Sequence, residues 1–153
     1  MQSIKRPISV IVFVGLLLLT SNFAICQNYT SRISIVGNSI DNKTYTVGEV
    51  QSILKGKINN WKNGNRVLIV LRFNEDRKSE YLAREIYNKS INGVKKYWLG
   101  LVFQGRTDAP IFAADNEEVL RLLKKRKGAI GVLVDYKNTP PPELTVKISK
   151  SRQ

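Results

Sequence analysis

The sequence predicts an α/β domain with a mixed sheet flanked by helices, and three observations carry that expectation. Two apolar runs, VLIVL at 67–71 and GAIGVLV at 128–134, are continuous in the way of strands buried on both faces. Each follows a segment of helical period, so strands and helices alternate along the chain. Some of the connections between strands are two helices long, which suits a mixed sheet better than a purely parallel one.

Taken in order, residues 32–36 (RISIV) form a short β-branched segment closed by Gly37-Asn38, and residues 39–45 are a polar connection rich in Asn, Asp and Thr. Thr46 and Glu49 have the spacing of a capping box and start a helix. Its apolar face is Val47, Val50, Ile53 and Leu54, and Gly56 after Lys55 suits a left-handed stop. Trp61 and Asn63-Gly64 then turn the chain into the 67–71 strand. Asn74 or Asp76 caps a second helix that runs through Asn88, with Tyr81, Leu82, Glu85 and Ile86 at helical spacing. Asn92-Gly93 breaks this run, after which Val94, Tyr97, Trp98, Leu101 and Val102 mark a face that must be buried. Residues 105–110 form a loop, and Asp115 caps a further helix with Glu117 and Glu118 in its first turn. Lys124, Lys125, Arg126 and Lys127 follow at its C-terminal end, where the helix dipole favours cations. After the 128–134 strand, residues 139–142 form a stiff turn and residues 144–148 an alternating edge strand. No internal repeat interrupts this order.

The N-terminus has the three regions of a secretory signal peptide. Lys5 and Arg6 precede an apolar run from 8 to 19, and Thr20 and Ser21 lead to small residues at 24 and 26. The apolar run is short for a membrane span, which favours cleavage after Cys26 and a single domain over residues 27–153. Cys26 as the lipid-modified cysteine of a bacterial lipoprotein is one alternative, and an uncleaved segment serving as membrane anchor, the only membrane contact expected, is another. In each case the domain is expected outside the cytoplasm, in the periplasm or secreted.

Charge and composition then narrow the chemistry. The net charge is +13, and the export segment removes two cations and no acid from it. Such a balance favours anionic partners, although it also describes a well-solvated basic protein. With no histidine and Cys26 as the one cysteine, cleavage leaves no thiolate nucleophile, disulfide or cysteine ligand, and the commonest metal ligand and general base is missing too. No pair of carboxylates stands out for acid–base work, so neither an enzyme nor a cofactor is expected. Nucleic-acid binding lacks its aromatic-interleaved basic strand or recognition helix.

The order of these pieces, IfxGkixxW-like Ile53-Leu54-Lys55-Gly56-Lys57-Ile58 with Trp61, then a strand ending at Arg72, then Gly128-Ala129-Ile130-Gly131, resembles the phosphate-binding components of bacterial ABC importers. These belong to the type 2 periplasmic binding protein superfamily. The resemblance covers about 33–134 and implies a single compact lobe of that fold. It also implies phosphate or another small oxyanion as ligand, and an ABC importer or envelope protein as partner. In that family an Arg-x-x-x-Ser-Gly-Thr segment opens a helix and holds the oxyanion. Here Arg72 aligns with the Arg, but Asp76-Arg77-Lys78 stand where the Ser-Gly-Thr should be. The segment supplying the family's other lobe has no counterpart in the pattern.

Two functional expectations follow. The first is an exported solute-binding-like protein that takes an oxyanion at the strand-to-helix junction, through Arg72, Asn74, Arg77, Lys78 and Ser79. The second is a non-transporting interaction module of the cell envelope that has lost the anion site. Trp61 and Trp98 are expected to be core residues rather than ligand platforms.

Overall fold

The computed structural model describes residues 32–149, so the expected export segment 1–26 and Cys26 lie outside the described residues. Four strands, β1 (Ile33–Asn38), β3 (Leu68–Arg72), β4 (Ile111–Ala113) and β5 (Ala129–Val134), form a sheet in the order β1-β5-β3-β4. β3 runs parallel to β4 and β5, whereas β1 pairs antiparallel with β5, so the sheet is mixed. A second, two-stranded sheet pairs β2 (Tyr45–Thr46) with β6 (Ile148–Ser149) in parallel.

Strand alternation divides the core into two layers. Ile69, Leu71, Ile130, Val132 and Val134 face one cluster, which the helices α1 (Val47–Leu54), α2 (Arg77–Tyr87) and α3 (Ile91–Phe103) complete. Val70, Ala129 and Leu133 face the other, closed by Val119, Leu120 and Leu123 of α4 (Asn116–Lys125). This is why 67–71 and 128–134 read as unbroken apolar runs: successive side chains point into opposite but equally dry layers. Gly131 lets α4 lie close on β5, since a Cβ there would stand 2.9 Å from a Val119 methyl.

The capping box of α1 is formed in full. The Thr46 hydroxyl accepts the Glu49 amide, the Glu49 carboxylate accepts the Thr46 amide at 2.8 Å, and Lys43 adds a 2.7 Å hydrogen bond. The Lys43 hydrogen bond, followed by the backbone amide of Thr46, holds the Glu49 carboxyl down at about 2. At the other end of α1, Gly56 turns with φ +66 and rests on Trp98, so that a Cβ would meet the indole at 2.8 Å. The Tyr87 hydroxyl donates to the Leu54 carbonyl at 2.5 Å and accepts the Trp98 indole N–H at 3.2 Å, while Tyr97 donates to the Lys55 carbonyl at 2.7 Å. These bonds satisfy carbonyls that a helix end leaves without partners. Trp98 is a core residue, as expected.

Three expectations are corrected. Val102, expected on the buried face of α3, is 37% exposed, because the helix turns only Val94, Trp98 and Leu101 fully onto the core. The break between α2 and α3 falls at Asn88, which takes the left-handed conformation with φ 52, and not at Asn92-Gly93. Those two residues sit in the first turn of α3 because the Ser90 hydroxyl caps it by accepting the Gly93 amide. Residues 144–148 are not one edge strand. Pro142–Leu144 form a 3-10 turn and Thr145 makes an isolated bridge to Val36, so only Ile148–Ser149 pair as β6. The physical cause is the proline run 140–142, which has no N–H to offer a ladder, and Leu144, which turns inward to 1% exposure.

Trp61 is also core, at 4% exposure, and its indole N–H donates to the Gly128 carbonyl at 2.8 Å. The same carbonyl accepts the Leu68 amide, so Trp61→Phe removes one donor and leaves the other. We expect that variant to lose about 1 kcal/mol in urea unfolding, the net worth of one hydrogen bond. Gly128→Ala should lose more, because φ there is +76 and its Cβ would press on the Arg66 carbonyl at 2.9 Å. Equal losses for the two variants would contradict this reading of Gly128.

Candidate functional site

The parallel strands β3 and β5 end on the same side of the sheet, and in open α/β sheets the carboxyl ends of strands are where ligands sit. Here that edge carries Arg72, the last residue of β3, with the N-terminus of α2 four residues on. Arg72 is 6% exposed, an expensive place for a guanidinium unless it is fully partnered.

Its partner comes from the chain itself. One guanidinium nitrogen of Arg72 donates to Asp76 Oδ1 at 2.9 Å and to Ser79 Oγ at 3.0 Å, and the other donates to Asp76 Oδ2. Asp76 thus makes the two-pronged contact that an oxyanion makes with arginine. Its carboxylate is also the N-cap of α2, accepting the Ser79 amide at 2.8 Å. The Arg72 hydrogen bonds, with the Ser79 amide behind them, hold the Asp76 carboxyl well below the usual carboxylate range.

The other expected site residues fall into two groups. Ser79 is fully buried, and its hydroxyl accepts the Asn74 amide at 2.9 Å as well as Arg72, so it faces inward. The Asn74 side chain folds onto the Glu75 amide at 2.8 Å. Arg77 is exposed and Lys78 half-buried, and Lys78 lines a cleft of about 330 Å³ beside Arg72. Hydrogen bonds join Arg72, Asn74 and Ser79, and Lys78 shares the cleft with Arg72, while Arg77 is exposed; Arg72 and Ser79 are engaged with Asp76 and the turn.

That cleft also holds residues the sequence reading did not single out. Lys137 lines it, and so do Asp115, Glu117 and Asp135, so acids and cations share its walls. Asp115 caps α4 by accepting the Glu118 amide at 2.7 Å, so both helix N-termini near this edge are closed by aspartate. Asn116 is buried and exchanges two hydrogen bonds with Val134, fixing the end of β5. The signal for it was the Asp115-Asn116 pair at a helix start, which reads as capping alone unless the partner strand is known. No cluster of potential metal ligands and no helix able to cross a membrane occurs among the described residues.

No family model matches the sequence, and no curated protein is significantly similar to it. Solved structures share its fold. A putative phosphate ABC transporter substrate-binding protein with bound phosphate from Clostridium perfringens matches with TM-score 0.55 and 17% identity, over 77% of this chain and 45% of that one. PstS from Borrelia burgdorferi matches with TM-score 0.57 and 15% identity, over 80% of this chain and 49% of the other. An ABC-type phosphate transport receptor from Vibrio cholerae gives 0.55 and 15%, over 79% and 48%. The chain spans about half the length of the solved proteins it matches, and its fold is that of a lobe of such proteins.

Asp76→Asn tests the central contact, because it keeps a capping side chain but removes the charge opposite Arg72. Near neutral pH we expect a loss of about 2 kcal/mol, below the roughly 3–5 kcal/mol of breaking a buried pair, since the Asp76 side chain is 35% exposed. The folded-state pKa lies below the unfolded one, so this stabilisation is whole above the ordinary carboxylate value and fades as pH falls below about 4. The gap between the two proteins in chemical denaturation should therefore narrow on acidification. A gap that stays constant or widens would contradict the ion-pair account.

Proposed function

We propose that this chain is an extracytoplasmic lobe of the phosphate-binding-protein fold that acts as an interaction module and no longer as a phosphate receptor. The observation that supports this is the seat on Arg72. A ligand oxyanion would have to displace Asp76, a carboxylate already held by two guanidinium nitrogens and a helix amide. It would also approach through a cleft with Asp115, Glu117 and Asp135 on its walls. On this reading Asp76 is a built-in substitute for the anion, and the lobe keeps the geometry of the family while its charge requirement is met internally. Its place outside the cytoplasm rests on the signal-like N-terminus, and its partner is an envelope component.

A second reading keeps the oxyanion. Arg77 and Lys78 lead α2 as cations, Asn74 stands beside them, and one protein of this fold was solved with phosphate bound. Phosphate would then sit on the outer side of the junction, with Arg72 and Ser79 as its support, and an ABC importer would be the partner.

Calorimetric titration with phosphate separates the two, with sulfate and chloride as controls at low and moderate salt. We expect no saturable heat that prefers phosphate. Saturable binding that favours phosphate over sulfate and survives added salt would overturn the interaction-module reading in favour of the second.

A further inference from the structure

Helix α3 is built unlike the others on its outward side. It buries Val94, Trp98 and Leu101, yet Leu99, Val102 and Phe103 on its other side are 56%, 37% and 82% exposed. These three lie at i, i+3 and i+4, so they form one contiguous apolar patch at the C-terminal half of the helix. Lys95 and Lys96 stand one turn before it and Arg106 just after it, all exposed.

The charge around the patch has one sign. Between residues 86 and 107 the chain carries Lys89, Lys95, Lys96 and Arg106 and no acid. Among the described residues none of these four takes part in an ion pair, whereas Arg84 on α2 pairs with Glu80 and Arg121 on α4 pairs with Glu118. The Asn59 side chain donates to the Arg106 carbonyl at 2.7 Å, which brings exposed Lys57 and Ile58 to the same end. An apolar centre within a cationic collar, on a helix free of carboxylates, is the pattern of a helix that lies on an anionic bilayer. A second copy fits poorly, because identical collars would face each other across the contact in a chain of net charge +13.

We propose that the outward face of α3 docks on an anionic phospholipid surface. Phe103, Leu99 and Val102 enter the headgroup boundary, and Lys95, Lys96 and Arg106 meet the lipid phosphates. The surface shares no residue with the strand-end cleft, so it stands whether or not that cleft takes an anion.

The test is co-sedimentation of the full chain with vesicles of phosphatidylcholine, with and without phosphatidylglycerol, for the natural chain and two double variants, Leu99→Ser with Phe103→Ser and Lys95→Glu with Lys96→Glu. The N-terminal apolar run is common to all three, so differences report α3. We expect each double variant to bind phosphatidylglycerol vesicles about tenfold more weakly than the natural chain, as loss of a few basic or apolar anchors implies. Far-ultraviolet circular dichroism should be unchanged, because the altered side chains are exposed. Independently, Phe103→Trp should be quenched by brominated lipid chains only when phosphatidylglycerol is present. Equal vesicle binding by all three proteins, or no quenching at 103, would overturn the proposal. So would a dimer in sedimentation that the Leu99→Ser, Phe103→Ser variant alone loses, which would give the face to a second copy.

Discussion

Gly128 is the point on which the sheet depends. Its amide donates to the Asn38 carbonyl at 2.7 Å, its carbonyl accepts both the Leu68 amide and the Trp61 indole, and its α-carbon lies against the Arg66 carbonyl. One residue with a positive φ thus joins the end of β1, the start of β3 and the tryptophan turn to the start of β5. A side chain at this place would collide with backbone, which cannot step aside as a flexible side chain can. Once these four segments are joined, the register of β1 and β3 against β5 is set, and alternation assigns every later side chain to one of the two layers. The carboxyl ends of β3 and β5, where Arg72 sits, are positioned by that register at the far end of the same strands.

How much of this was legible depended on how local each signal is. The capping box at Thr46, the glycine stop at 56, the aspartate caps at 76 and 115 and the two buried strands are written in residues a few positions apart, and they formed where expected. The break at Asn88 was misplaced because Asn92-Gly93 is a strong turn signal in isolation, whereas the competing Ser90 cap gains its advantage from the burial of Val94 and Trp98 behind it. The 144–148 segment was misread for a similar reason. Alternation there is real, but the prolines before it and the inward turn of Leu144 decide the path, and the second depends on the α4 layer that Leu144 packs against. Strands β2 and β4, of two and three residues, carry too little pattern to be read without their partners.

The site shows the same division. The sequence placed Arg72, Asn74, Arg77, Lys78 and Ser79 at one junction, and there Arg72, Asn74 and Ser79 share hydrogen bonds while Arg77 is exposed. It could not tell which way they turn. Asp76 was legible as a cap, but a cap alone leaves an arginine four residues earlier free to face a ligand. That the same carboxylate serves both the helix amide and the guanidinium is a matter of where β3 ends relative to α2, which only the sheet geometry fixes.

Burial of Arg72 makes this arrangement self-consistent. A guanidinium at 6% exposure requires a counter-charge in the folded state whether or not any ligand is present. Proteins that recruit the counter-charge from solution leave that requirement unmet in the empty state, and binding energy comes from meeting it. Here Asp76 meets it permanently, so an arriving oxyanion would gain only the difference between itself and a tethered carboxylate, which has already given up its translational freedom through the chain. Free cations for an outside partner are then found where no carboxylate is near, as on the helix carrying Lys95, Lys96 and the exposed Phe103. The internal pair that holds the strand end and the unpaired lysines of α3 thus lie on different elements, and the two can change independently of each other.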